Sequence, residues 1–566
     1  MPPAPAPRRP STLLRALVVA GALAVAVALA GTGVAAADGP GTAVEGRLVQ
    51  AWQETAPGEA DGHDEAAAPL SWVETDGGAV RIPTADVAGV PAGATVELTV
   101  GAEVRDEVSE EHGLEPAQRV LSTRSVTLAK TVSPVRRAVT NQVTVVLVAP
   151  AGTQPDAGVT AVDVAAVVDG EVADHWSEQT GGAVRFGVTA SHDWISTTAG
   201  CADPTALWDE AAAAVGFRPG PGKHLLLQLS SGTAGRPGCS YALAEVGAGP
   251  SSGGRLYVRD TLPSVVAHEL GHNLGLSHSS ALQCHETVET GRCRTAGYQD
   301  YYDVMGASWQ QLGSLSAPQA ARLGVLPAAA TRSLSTADEP ASVVLAPVGG
   351  RTGIRALRLT DAEGVGYWLE YRTATGADRW LGGAATNPYG LDAGVLLRRE
   401  AEFPDTSLLL DGTPSPHAGW DRDLQAALPV GEPVTLAGGD FTVTVASSTA
   451  RGATLDVRPA GPATTSTPAA PRDSGAGQVL PGGTNRPVAV GTAPVADLPA
   501  PAAEPALELP RVPPPPLAAA PRTPALTPAA ESTPAGTLLV AVAVAGAGLA
   551  GATLLVVRRA RRLRTR

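Results

Sequence analysis

The stretch with the clearest chemistry is His268-Glu269-Leu270-Gly271-His272-Asn273-Leu274-Gly275-Leu276-Ser277-His278. On a helix, His268 and His272 are about 400° apart in rotation, so both imidazoles leave one face, about 6 Å apart along the axis. Histidines spaced in this way suit one zinc ion. Glu269, beside the first of them, is placed to hold a water as general base without being a ligand. His278 poses a separate problem, because a continued helix would carry it to another face roughly 15 Å further on. It reaches the same metal only if the helix stops and the chain turns back. Gly275 sits where that break is needed, since glycine tolerates the left-handed backbone that ends helices. With 10 His and 64 Gly in 566 residues, the expected chance count of the pattern is roughly 10⁻⁵ per chain.

The eleven residues resemble the zinc site of the metzincin metalloproteases, most of all the gametolysin-like and related bacterial branches. The resemblance spans residues 141–328 and is specific over 268–306. It continues in Tyr302-Asp303-Val304-Met305-Gly306, where a methionine follows His278 at the distance of that clan's Met-turn. What the resemblance implies is a zinc endopeptidase holding one catalytic Zn²⁺ on His268, His272 and His278, with Glu269 as general base. Met305 would then form the hydrophobic floor below the metal without being a ligand. The implied partner is a protein or peptide substrate, such as a cell-surface or wall glycoprotein. Two departures limit the transfer. Ala307 stands where some branches carry a zinc-binding tyrosine, so no fifth ligand is assigned, and no cysteine lies between 38 and 140 to act as a latency switch. Two rival readings are a non-catalytic surface adhesion or binding protein on a protease fold, and a zinc amidase acting on wall polymers.

Four cysteines, Cys201, Cys239, Cys284 and Cys293, all fall in the same region. In an exported protein they should be disulfide-bonded. Of the three pairings possible, Cys201–Cys239 and Cys284–Cys293 are favoured, the second closing a short loop between His278 and Met305. His285 reads as a surface residue. Tyr301 and Tyr302 fit a cleft lining or ordinary packing equally well. Asp411, Asp421 and Asp423 read as turn acids, and no calcium is assigned.

The elements expected to position this chemistry form an α/β catalytic domain over 141–328: a sheet with packed helices, the zinc-site helix and the Met-turn. Val143–Val148, 183–188 and His224–Leu229 read as strands, and Val162–Trp176 and Asp203–Val215 as helices. A β-rich N-terminal domain or propeptide at 38–140 and a β-sandwich at 329–459 are expected to flank it. Residues 460–535, rich in Pro, Ala and Thr, read as an extended stalk.

The ends suggest a compartment. Residues 1–37 have the basic start, apolar run and Ala35-Ala36-Ala37 cleavage site of a secretory signal. Residues 536–557 read as a single C-terminal transmembrane helix, because Thr537–Val557 carries no charge and is long enough to span a bilayer core. The arginine-rich tail at 558–566 would stay in the cytoplasm, which leaves the catalytic domain on the extracellular side of the cell membrane. A formal charge of −14 argues against a general nucleic-acid binder.

Overall fold

The structure, a computed structural model, describes residues 41–54, 69–128, 139–307, 311–350, 352–401, 405–416 and 423–461. Its first sheet contains β1 (Thr42–Glu54), β2 (Leu70–Thr75), β3 (Gly78–Ile82), β4 (Thr95–Val104), β5 (Ala117–Thr127), β6 (Asn141–Ala149), β7 (Phe186–Ser196), β8 (Lys223–Leu229), β9 (Ala242–Glu245) and β10 (Gly254–Val258). The order is β3-β2-β1-β9-β10-β8-β6-β7, and β4 and β5 extend from β1. Strands β10, β8, β6 and β7 run parallel, whereas β9 is antiparallel to both β10 and β1. The apolar run Val143–Val148 lies inside β6, and its valines and leucine are buried on both faces, as a central parallel strand requires.

The helices are α1 (Glu107–His112), α2 (Ala161–Val167), α3 (Ala173–Gln179), α4 (Pro204–Val215), α5 (Pro263–Asn273) and α6 (Ala317–Arg322). One face of the first sheet packs Val143, Val145 and Leu226 against Val164 and Trp176 of α2 and α3 and against Leu270 of α5. The other face packs Val146, Leu225 and Leu227 against Leu207 and Trp208 of α4. Asp203 caps α4 by accepting from Ala206 N at 2.9 Å, satisfying one of the free amides at the helix start.

The remaining strands are β11 (His278–Cys284), β12 (Cys293–Ala296), β13 (Thr331–Ser335), β14 (Ala341–Leu345), β15 (Ala356–Thr360), β16 (Gly366–Arg372), β17 (Gly394–Glu400), β18 (Asp405–Leu410), β19 (Pro433–Leu436), β20 (Phe441–Thr449) and β21 (Gly452–Pro459). They form a seven-stranded sheet, β12-β11-β18-β17-β16-β15-β13, and a four-stranded one, β14-β21-β20-β19. Leu357, Leu369 and Leu397 of the former pack against Phe441, Val443 and Leu455 of the latter.

This architecture corrects the expected fold class. The described residues are mostly β-structure in three sheets, not an α/β catalytic domain with separate β-modules at its flanks. Strand β1 is hydrogen-bonded into the same sheet as β6–β10, across the boundary expected at 140. Strand β11, which carries His278, pairs with β18, across the boundary expected at 328. Local periodicity identifies strands but carries no information about which distant strand each one pairs with, and that is where the expectation failed. Among the described residues no helix is long and apolar enough to cross a membrane. The signal at 1–37, all but the first two residues of the stalk, the span at 536–557 and the tail lie outside the described residues.

Candidate metal centre

Helix α5 starts with Pro263 in its first turn, where the missing amide costs nothing. It ends at Asn273 in a pattern that Gly275 makes possible. Gly275 N donates to His272 O at 2.8 Å and Leu276 N to Gly271 O at 3.2 Å, while Gly275 adopts φ +90°. A Cβ on Gly275 would also press on Gly247 O and Gly249 N, so a larger residue meets both strain and backbone. The chain then reverses into β11, whose first residue is His278.

This turn brings three imidazoles together. His268 Nε2 lies 3.0 Å from His272 Nε2, and the rings of His268 and His272 are centred 5.5 and 4.9 Å from that of His278. Two hydrogen bonds fix the tautomers. His268 Nδ1 donates to Val304 O at 2.8 Å and His272 Nδ1 to Leu276 O at 2.9 Å. A carbonyl only accepts, so each ring keeps its proton on Nδ1 and turns a bare Nε2 lone pair to the shared centre. Two lone pairs facing each other at 3.0 Å repel unless a cation lies between them.

A fourth group arrives from a place the sequence did not single out. Glu54, the last residue of β1, sets its Oε1 3.3, 3.5 and 3.2 Å from Nε2 of His268, His272 and His278. All four ligand atoms lie within 4.8 Å of one another, and all four residues are buried. This buried Glu/His₃ cluster could hold a metal ion. Nothing in the local sequence marks Glu54, which lies 224 positions from His278; only the β1–β9 pairing delivers it.

Glu269 is fully buried, and neither carboxylate oxygen has a hydrogen-bond partner among the described residues. Burial, then the neighbouring Glu54 charge, raises its pKa well above the carboxylate range. Burial pushes Glu54 in the same direction, but the neighbouring imidazoles of His268 and His278 hold it well below that range. Burial lowers His272 and takes His278 down to about 3; for His268 burial is outweighed by Glu54, and its pKa is raised. Orphaned carboxylate oxygens and converging lone pairs are what a cation site presents before its ion is counted.

No protein-family model matches this chain, and no curated protein matches it.

The surroundings are equally built. Met305 is fully buried beneath α5, and a Cβ on Gly271 would collide with its sulfur, so glycine permits the close approach. Met305 O accepts from Ser279 N at 2.8 Å, which fastens this turn to β11. Trp52 of β1 lies with its ring centre 4.2 Å from that of His278. Tyr298, also missed by the sequence reading, places its ring centre 3.9 Å from that of His278, and its hydroxyl donates to Gln53 O at 3.0 Å. The disulfides are Cys201–Cys239 and Cys284–Cys293. Tyr302 is buried and donates to Asp392 O at 3.0 Å, Tyr301 packs on Tyr389, and His285 is partly exposed beside Glu286. None of these last three residues reaches the histidines.

Behind the site lies an arginine–carboxylate network. Arg372 Nε and Arg398 Nε each donate to Glu370 Oε1 at 2.9 Å, Arg398 also pairs with Asp300, and Arg372 pairs with Asp378 at 3.1 Å. The other oxygen of Glu370 accepts from Ala317 N at 2.7 Å, and Asp303 accepts from Met305 N and Ser316 N, both at 2.8 Å. These contacts tie the Met305 turn to β16 and β17.

Proposed function

We propose that this chain is an exported zinc endopeptidase, similar to the metzincins in its histidine–glutamate helix. The observation that carries the reading is the convergence of three imidazole Nε2 atoms, with a buried carboxylate on the same helix, Glu269, that has no hydrogen-bond partner among the described residues. Zinc bonds to nitrogen and oxygen at about 2.0–2.2 Å in a tetrahedron, which sets neighbouring ligand atoms about 3.3 Å apart. The separations from Glu54 Oε1 to the three nitrogens, 3.2 to 3.5 Å, match that spacing. Disulfide bonding of all four cysteines supports an oxidising, extracellular compartment.

His268, His272 and His278 would hold the ion. When bound, zinc supplies Lewis acidity, acidifying a water and polarising the substrate carbonyl. Glu269 takes a proton from the attacking water as its oxygen bonds to the carbonyl carbon, then delivers it to the amine that leaves when the C–N bond breaks. Backbone carbonyls of Val304 and Leu276 keep His268 and His272 oriented throughout.

A second reading, a non-catalytic binding protein with a closed metal site, is favoured by one observation: Glu54 already supplies a fourth ligand atom. Mapping new amino termini after incubating a peptide library with zinc-loaded protein separates the two. The endopeptidase reading predicts metal-dependent cuts within peptide chains. Zinc bound at one per chain with no cuts, in this protein and in a variant freed of Glu54, would favour the second.

A further inference from the structure

The first sheet has a particular neighbour relationship at the histidine cluster. Strand β9 is antiparallel to β1 over four residue pairs, Ala51↔Glu245 to Glu54↔Ala242. The pairing continues at both ends, with Val246 N donating to Gln50 O and Tyr241 N to Glu54 O, each at 2.8 Å. On its far side β9 continues through β10 into the parallel strands. Without β1, then, β9 would be an open edge ending at the three histidines, the kind of edge to which an extended peptide adds as a further strand.

Several contacts hold β1 in that place. Trp52 is buried with its ring near those of His278 and His272. Tyr298 donates to Gln53 O. Arg47 of β1 bonds Glu245 of β9 at 3.1 Å and Glu74 of β2 at 2.8 Å, while Arg255 of β10 bonds Glu245 at 2.8 Å and also pairs with Glu74. At the end of the strand, Glu54 Oε1 lies within 3.5 Å of all three Nε2 atoms.

Three imidazoles and one carboxylate would supply all four ligands of a four-coordinate ion and leave no position for a water or a carbonyl. Glu269 is left with no partner in that arrangement.

We propose that β1 occupies the groove of an extended peptide substrate and that Glu54 is the fourth ligand of the resting metal, so that the chain's own N-terminal strand keeps the site shut. The proposal rests on the endopeptidase reading for its consequence, and on the geometry around Glu54 for its cause. A chain whose open form is a minor state, about 0.1–10% of molecules, shows its activity reduced by that fraction. Removing the Glu54 ligand frees one coordination position while the other contacts still hold β1, so peptide cleavage should rise by up to about 10- to 1,000-fold.

The test uses the full chain with cobalt in place of zinc, whose visible spectrum reports ligand changes, and acetohydroxamate as the probe for an open position. In the unaltered protein the spectrum should be insensitive to the probe. Glu54→Ala should shift its spectrum on adding the probe, release metal to a chelator about 10- to 100-fold faster, and, as the zinc form, cleave peptides faster. Glu54→Gln keeps the side chain's volume and replaces the anion with a weak neutral donor. It should respond in the same direction, and it decides the matter if the alanine variant fails to fold. An unaltered protein that binds the probe as readily as Glu54→Ala, with equal cleavage, would overturn the self-occlusion and leave the endopeptidase reading intact. A Glu54→Ala variant that opens to the probe but cuts no peptide would support the ligand role and sink the endopeptidase reading.

Discussion

Among the described residues, two clusters of buried charge are balanced in opposite ways. Around β16 and β17, each of the carboxylates Glu370, Asp300 and Asp378 pairs with Arg372 or Arg398, and Glu370 and Asp378 also accept from Ala317 N and Ser314 N. Around α5, Glu54 and Glu269 have no arginine or lysine partner among the described residues, and the histidine nitrogens point at one another. Burying a carboxylate without compensation costs several kcal/mol. The first cluster offsets part of that cost with arginines of its own, which makes it structural. The second has no arginine or lysine at a point ringed by ligand atoms, where a metal ion could be held. Contrast between the two, more than any one distance, marks the second as the candidate metal centre.

The largest effect should come from breaking the unbalanced cluster. His272→Ala removes one of three imidazoles whose convergence the turn at Gly275 exists to achieve. Metal content by atomic absorption should fall to near zero in dilute protein, and cleavage should fall with it. With zinc at 100 times its dissociation constant, the unaltered chain gains about 2.7 kcal/mol from binding, so the variant should also lose the stabilisation that added zinc gives its parent.

Breaking the balanced cluster should affect stability first. Arg398→Met strands Asp300 in a dry interior and leaves Glu370 with Arg372 alone, at a cost of about 3–5 kcal/mol in chemical denaturation. Because Asp300 precedes the Met305 turn, weaker metal retention should follow. A variant as stable as its parent would remove the distinction drawn between the clusters.

A smaller effect is expected from the double variant Cys284→Ser, Cys293→Ser. The bond closes a loop with a sequence separation of 9, for which loop entropy gives about 2–3 kcal/mol. Since this loop lies beyond His278 on β11 and β12, melting temperature should drop while zinc stoichiometry holds.

The smallest is a pH effect away from both clusters. Asp411 is nearly buried, and burial, reinforced by Asp423 and Asp392, raises its pKa to about 6 despite the amide of Thr413. A raised folded value means the folded chain holds its proton more tightly than the unfolded chain does. The stability it contributes is therefore complete below the unfolded value near 4 and is lost as pH rises through 6. Asp411→Asn should flatten this decline, gaining about 1 kcal/mol over its parent at pH 8 after allowance for solvent screening. Denaturation midpoints at pH 4 and pH 8 check it.

Much of the candidate centre was legible in the sequence because its local geometry lies within eleven consecutive residues. His268, Glu269 and His272 share a helix, and Gly275 announces the reversal that returns His278. Glu54 was not legible. Its strand, including the buried run Leu48–Trp52, has no pattern naming β9 as its neighbour, and a lone glutamate at a strand end usually faces solvent. The same limit explains the fold. Individual strands such as β6 and β8 follow from their apolar runs, but the pairings β1–β9 and β11–β18 are long-range, and they merge regions that composition had separated.

The measurement closest to the central claim is made on Glu269→Gln in a chain already opened by Glu54→Ala, comparing zinc content with peptide cleavage. The substitution keeps size and removes the base. Zinc should remain at one per chain, since the three imidazoles are untouched, while cleavage falls by about 10²–10⁴-fold, the usual contribution of general-base catalysis. Near-normal cleavage by the zinc-loaded variant would contradict the role given to Glu269 and with it the account of this site as catalytic.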